Sequence, residues 1–274
     1  MDVASYVEMV KENGYVVIPD VLSDSECSLY KEMLDSDYVK YRDLYAGSMY
    51  TSHGLNDKSS EKVVYNMHNK DIRYFDLFDH PKIVPVIASL LQEGSYQNSE
   101  EYNLLNISAR CPGAYAPAQQ LHLDSNLPGR DGYPLIVVAL FMLDDFNEVN
   151  GATRFVPGSH RFSSYAENGR VYPDEVLVTG RRGSVIIFNG SLWHGSSPKQ
   201  DESSRWAVIL GYGRWFIKPS FDFCRNIPAD IYGRLSQSRR KLLGLNSQPP
   251  LDEFTRITRR SSDCEWEAGY ELPG

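Results

Sequence analysis

From Asn103 onward the chain is written in short apolar runs: NLLNISAR, PLIVVALFML, TRFVPGS, SVIIFNG and RWAVILGYGRWFI. They are rich in Val, Ile and aromatic residues, and they are punctuated by Gly, Pro, Asn and Asp, which interrupt regular structure. Several such strands at short intervals favour a barrel or jelly roll, architectures that leave few exposed sheet edges. The expected fold class is therefore mainly β with flanking helices, its β core spanning about 100–220.

The helices come from both ends of the chain. Val3, Tyr6, Val7 and Val10 recur at helical spacing, and GYVVIP then supplies one early strand that stops at Pro19. Ser23 and Glu26 have the spacing of a capping box opening a helix through CSLYKEML. A third helix is expected over KIVPVIASLLQEG, with Pro81 near its first turn and Gly94 at its end, and helix returns between Pro228 and Leu245. The tail at Pro249-Pro250 is expected to be extended. No Ser/Gly/Pro-rich linker and no internal repeat divides the chain, so residues 1–274 are expected to form one domain.

Composition removes several function classes. Lys and Arg number 28 against 36 Asp and Glu, a formal net charge of -8, which disfavours polyanion binding and hence a nucleic-acid role. The short basic runs Arg181-Arg182, Arg239-Arg240-Lys241 and Arg259-Arg260 are expected to be solvated faces or helix C-terminal charges. Cys27, Cys111, Cys224 and Cys264 lack any C-x-x-C spacing and are expected to be buried thiols. The first residues, MDVASYVEMVKENG, are polar and acidic, and no apolar run reaches the length of a membrane span. A cytoplasmic protein with no membrane partner is expected.

The stretch QLHLDSNLPG carries the chemistry. In a strand, residues two apart share a face, so His122 and Asp124 can converge on one point. With six histidines in the chain, His-x-Asp alone is weakly specific. A second element strengthens it: SVIIFNGSLWHGSS is an apolar strand leading to His194, whose small neighbours let another group approach. Two His and one carboxylate on one face of an octahedron is the ligand set of non-haem Fe(II) oxygenases. Zinc accepts the same donors. Arg205, in SSRWAVILGYG, tips the balance towards iron, because a guanidinium inside an apolar barrel needs an anion, and a co-substrate dicarboxylate would supply it. Ser196, in phase with His194, can donate a second hydrogen bond to that carboxylate.

The order LHLD, then NGATRFVPGSHRF, then GSVIIFNGSLWHGSSPKQDESSRWAVILGY resembles the phytanoyl-CoA dioxygenase family of Fe(II)/2-oxoglutarate oxygenases, over about residues 100–215. The resemblance implies a double-stranded β-helix (jelly-roll, cupin-like) core. It makes His122, Asp124 and His194 the iron ligands, Arg205 the 2-oxoglutarate anchor and Ser196 its helper, with O2 as the oxidant and succinate and CO2 as products. Tyr115, Gln120 and Asn103 are further candidates for touching 2-oxoglutarate or orienting a ligand. In relatives that act as halogenases a small residue replaces the metal carboxylate; Asp124 is present, which implies a hydroxylase or desaturase. A small organic substrate is expected, with no catalytic residue beyond the ligands.

Two other readings stay open on the sequence alone: a barrel without turnover that binds or senses a ligand, and a zinc hydrolase. Among the remaining histidines, His53 and His68 are expected to be surface or satisfied loop residues, His80 part of a helix start and His160 a turn residue. Trp193 fits core packing and a pocket wall equally.

Overall fold

A computed structural model of the chain describes residues 1–47, 61–95, 102–129, 133–245, 247, 252–254 and 271–272. Two sheets face one another. The larger has six antiparallel strands in the order β1 (Tyr15–Ile18), β7 (Val185–Asn189), β4 (Ile136–Met142), β9 (Ala207–Arg214), β3 (Tyr102–Pro112) and β2 (Glu61–Tyr65). The smaller runs β6 (Val176–Val178), β5 (Thr153–Phe155), β8 (His194–Ser196). This is the expected jelly-roll class, with one extension: both edges of the large sheet, β1 and β2, come from the first 65 residues rather than from the β-rich stretch.

Strand periodicity sorts the side chains of the large sheet between two cores. Along β4, Val137, Ala139 and Phe141 join the cluster on the outer face, while Val138, Leu140 and Met142 join the cluster between the sheets. The outer face is covered by α1 (Val3–Asn13), α2 (Asp24–Gly47), α3 (Phe75–Phe78) and α4 (Val84–Gln92), through Val7, Val10, Leu34, Phe75, Ile87 and Leu90. Two short C-terminal helices, α5 (Ala229–Tyr232) and α6 (Gln237–Leu242), join the same cluster through Ile231 and Leu242. The inner cluster adds Phe155 and Val178 of the small sheet, with Phe146 and Leu192 from the loops.

The inner face is not apolar throughout. On β3, Ile107, Ala109 and Cys111 belong to the outer core, so the alternate residues Ser108 and Arg110 face inward. One half of the interior is packed hydrocarbon and the other is polar; the site lies where they meet.

Local signals placed the starts of α1 and α2. Ser23 N–H donates to Glu26 Oε2 (2.7 Å) and Glu26 N–H to Ser23 Oγ (3.3 Å), a capping box that opens α2. The helix runs on to Gly47, well past the expected segment. α4 begins at Val84 rather than near Pro81, and Pro85 occupies its first turn; His80 precedes it, accepting Ile83 N–H and Val84 N–H at its carbonyl. Arg239 to Lys241 lie in the last turn of α6, as their charge suggests. Arg259-Arg260, Cys264, His53 and Pro249-Pro250 lie outside the described residues; Cys27, Cys111 and Cys224 are buried free thiols.

His68 fits the second of its two readings, surface or satisfied loop residue. It sits in a short 3-10 turn, fully buried, with Nε2 hydrogen-bonded to Asn226 Oδ1 (2.7 Å) and its ring edge-on to Phe223. Burial holds its pKa down at about 3, against an ordinary value of 6.5. Below pH 6.5 the unfolded chain therefore binds a proton that the folded chain excludes until about pH 3, and stability present above 6.5 is lost as pH falls through that window. Urea unfolding at pH 7, 5.5 and 4.5 should show this loss, and His68→Gln should flatten the slope by about one proton, roughly 1.4 kcal/mol per pH unit. An unchanged slope in the variant would exclude His68 as its source.

Candidate metal centre

His194 does not end the apolar strand, as its sequence context suggests. β7 stops at Asn189, a tight turn follows through Leu192, and His194 opens β8 on the other sheet. The turn is possible because Gly190 packs where a Cβ would meet Ile136 Cβ at 3.0 Å. Leu192 N–H donates back to Asn189 O (2.9 Å), and the carbonyl of Gly190 accepts both Asp124 N–H (2.8 Å) and Ser125 N–H (2.9 Å). One turn thus delivers His194 and pins Asp124.

His122 is held against His194 by a reciprocal backbone pair, each N–H donating to the other's carbonyl at 2.9 Å. Gly195 permits this closeness, since a Cβ there would lie 2.9 Å from Gln119 O and 3.2 Å from Gln120 O. The two imidazole rings stand 4.3 Å apart, centroid to centroid. His122 Nδ1 is hydrogen-bonded to Gln120 O (3.0 Å) and His194 Nδ1 to Leu192 O (2.9 Å). Since a carbonyl can only accept, each Nδ1 carries the proton and each Nε2 presents the lone pair that can ligate a metal. The Gln120 that the sequence nominated acts here through its backbone.

Those two nitrogens meet one carboxylate: His122 Nε2 is 3.9 Å from Asp124 Oδ1, and His194 Nε2 is 3.5 Å from Asp124 Oδ2. One donor atom from each residue lies within 4.8 Å of the others, a group that can hold a metal ion. Burial, aided by the neighbouring His194, keeps the His122 pKa down at about 4, so the ring is neutral and able to ligate at pH 7. His194 is buried, packed against Phe188 (4.8 Å between ring centroids) and Phe155 (6.1 Å). That wall fixes its ring orientation.

Arg205 lies just ahead of β9, not within it. Its backbone N–H donates to Cys111 Sγ (3.4 Å), its guanidinium lies 4.5 Å above the Phe146 ring, and the residue is 6% exposed. Nε is buried without a hydrogen-bond partner, and no ion pair involves Arg205 among the described residues. Burial lowers its pKa to about 10, offset in part by Cys111, Glu61 and Asp144, so it remains cationic at neutral pH. A buried cation with an unused donor is costly unless an anion completes it.

Of the other nominated residues, Ser196 shares the His194 face of β8 and is half-buried. Tyr115 occupies a left-handed turn (φ 56) and is 64% exposed, so it does not enclose a site. Asn103 has the expected inward phase but not the expected place near the cluster. It sits at the opposite end of β3 from Arg110, about 23 Å away at the rise of a strand, with its amide hydrogen-bonded to Ser247 Oγ (2.8 Å). The register shift between Leu104 and Asn106 keeps Asn103, opposite Gly213, on the same face as Ser108 and Arg110, so distance along the strand and not phase separates it from the cluster. Trp193 is core: its Nε1–H donates to Ser164 O (3.2 Å) and its ring meets Phe162 and Tyr172. His160 forms a 3-10 turn, as expected.

The sequence reading missed a buried pair on the polar inner face. Arg110 Nη1 donates to Glu61 Oε2 (2.8 Å). Burial opposes charge on Arg110, but Glu61 outweighs it, with smaller help from Tyr65 and Asp124, and its pKa is raised. Only the β2–β3 register reveals this pair, because Glu61 and Arg110 are 49 residues apart.

Comparison with known proteins agrees with this geometry. The chain is 28% identical to Dioxygenase trt7 of Aspergillus terreus over 86% of its own length and 82% of that protein, and 27% identical to Dioxygenase cdmA of Talaromyces verruculosus over 88% and 82%. Its fold matches HygX from Streptomyces hygroscopicus, solved with nickel, 2-oxoglutarate and hygromycin B bound (TM-score 0.60, 18% identity, 83% of this chain and 93% of that one). HygX with iron bound gives the same TM-score over 83% and 92%. The phytanoyl-CoA dioxygenase (PhyH) family model matches residues 10–207, a span that contains the His122, Asp124 and His194 cluster and Arg205. By that match the chain belongs to the phytanoyl-CoA dioxygenase family.

Proposed function

We propose that the chain is an Fe(II)- and 2-oxoglutarate-dependent dioxygenase that hydroxylates an unactivated C–H bond of a small organic molecule. Iron would be held by His122 Nε2, His194 Nε2 and Asp124, and the distal carboxylate of 2-oxoglutarate by Arg205, with the Ser196 hydroxyl beside it. The observation that carries this reading is the pairing of two features: a two-histidine, one-carboxylate cluster, and a buried guanidinium whose Nε has no partner. Zinc would suit the cluster equally well but leaves Arg205 unexplained.

When bound, iron with 2-oxoglutarate and O2 supplies oxidative decarboxylation, releasing succinate and CO2 and placing one oxygen on the substrate. The residues of the chain do the rest. The Nδ1–H bonds to Gln120 O and Leu192 O keep both imidazoles in the ligating tautomer. Phe155 and Phe188 keep water from the buried side of His194. Arg205 offers a bidentate fork whose planar geometry matches a carboxylate. No general base is required. The acidic balance of the chain supports a small-molecule rather than a nucleic-acid substrate. We also take residues 1–274 as one domain, supported by an apolar cluster that reaches from Val7 to Leu245. No helix among the described residues is long and apolar enough to cross a membrane.

Three outcomes are expected. Anaerobic addition of Fe(II) and 2-oxoglutarate should produce a visible metal-to-ligand charge-transfer band; its absence, with the protein folded, would sink the proposal. Asp124→Ala should cut succinate release by about 100-fold or more, as expected when a metal ligand rather than a supporting group is removed. Arg205→Ala should raise the 2-oxoglutarate KM by about 10- to 100-fold, the scale of one charge-assisted contact, while iron binding stays near wild type.

A further inference from the structure

Because Arg205 makes no ion pair of its own among the described residues, its aim depends on the backbone that carries it. The residues on either side converge on one carboxylate. Asp144 Oδ2 accepts Trp206 N–H (2.9 Å) and the Ser204 hydroxyl (3.0 Å), while Asp144 Oδ1 is paired with Lys31 Nζ, which reaches across from α2. Trp206 is fixed a second time, its indole N–H donating to Asp35 Oδ1 on the same helix (3.2 Å). The Asp144 side chain is only 14% exposed, so its ion pair with Lys31 is shielded from water. Its negative charge supports the Arg205 cation, yet no hydrogen bond joins the two.

We infer that Asp144 is a positioning residue for co-substrate binding: it ties the Ser204–Trp206 segment to α2, so that the Arg205 guanidinium points into the barrel above Phe146. The inference rests on reading Arg205 as the 2-oxoglutarate anchor. A carboxylate is required because one group must accept from a backbone N–H, a hydroxyl and an ammonium at once. An amide has a single acceptor oxygen and turns an NH2 toward a donor. Without the clamp, the backbone of residues 204–206 keeps, among the described residues, Leu143 N–H to Trp206 O (3.1 Å) and the weak bond to Cys111 Sγ, while the Trp206 side chain stays buried and bonded to Asp35.

The test uses the full chain with Fe(II), titrating 2-oxoglutarate anaerobically and measuring steady-state succinate release. Asp144→Ala should raise both the 2-oxoglutarate Kd and KM by about 10-fold while kcat at saturating co-substrate stays within about twofold, the pattern of lost binding geometry rather than lost chemistry. Asp144→Asn and Lys31→Met should shift them less and in the same direction, and they carry the test if the alanine variant does not fold. A merely structural role would lower Tm without moving the Kd of the folded protein, and that result overturns the inference. So does full additivity of Asp144→Ala on Arg205→Ala, since a residue acting through Arg205 adds little once Arg205 is gone. If Arg205→Ala leaves 2-oxoglutarate affinity unchanged, the anchor reading falls and takes this inference with it; a loss at Arg205 with none at Asp144 removes only the inference.

Discussion

The reciprocal backbone bond between His122 and His194 is the contact on which the site depends. Two 2.9 Å bonds join the segment after β3 to the small sheet, and they set two imidazoles side by side. Everything nearby serves that closeness. Gly195 leaves room for the Gln119 and Gln120 carbonyls, and Gly190 lets the chain turn sharply between the two sheets. The same turn catches the N–H groups of Asp124 and Ser125 on a single carbonyl. Ligand positions built on main-chain pairing are more rigid than ones built on side-chain contacts alone, which suits a cluster whose donors must converge within a few ångströms.

The interior is divided electrically as well as geometrically. Between β7, β4 and the small sheet it is dry hydrocarbon around Leu140, Ile186, Phe155 and Phe188. Toward β3 and β2 it carries Ser108, Arg110, Glu61 and, beside them, Arg205. The cluster of His122, Asp124 and His194 stands at this boundary. An apolar wall on one side fixes ring orientation and strengthens electrostatics by excluding water. Fixed charges on the other side can receive polar groups of incoming molecules.

Much of this was legible in the order of residues. Period-two and period-3.6 patterns placed α1, the core strands β3, β4, β7 and β9, and the capping box of α2, because each is set by neighbours within a few positions. His-x-Asp, the later His194 and the following Arg205 were legible as a group because their residue types are chemically demanding. What was not legible had non-local causes. The strand β2 has a short, mixed sequence, EKVVY, and becomes a strand only because β3 offers it an edge. Asn103 has the inward strand phase, but phase carries no position along a strand, and the residue lies at the far end of β3 from Arg110. His68 lies in a polar loop sequence and is buried only because Phe223 and Asn226, more than 150 residues on, close over it.

The sequence by itself determined the class of fold, the starts of α1 and α2 and the identity of the chemically able side chains, since these follow from local backbone preference and from what each functional group can do. Only the tertiary structure decided that His194 crosses to the second sheet, that Arg110 meets Glu61, and that Asp144 gathers Ser204, Trp206 and Lys31. Those contacts join residues from 49 to 113 positions apart. Strand register and helix packing set such distances, and neither is encoded in any one stretch of the chain.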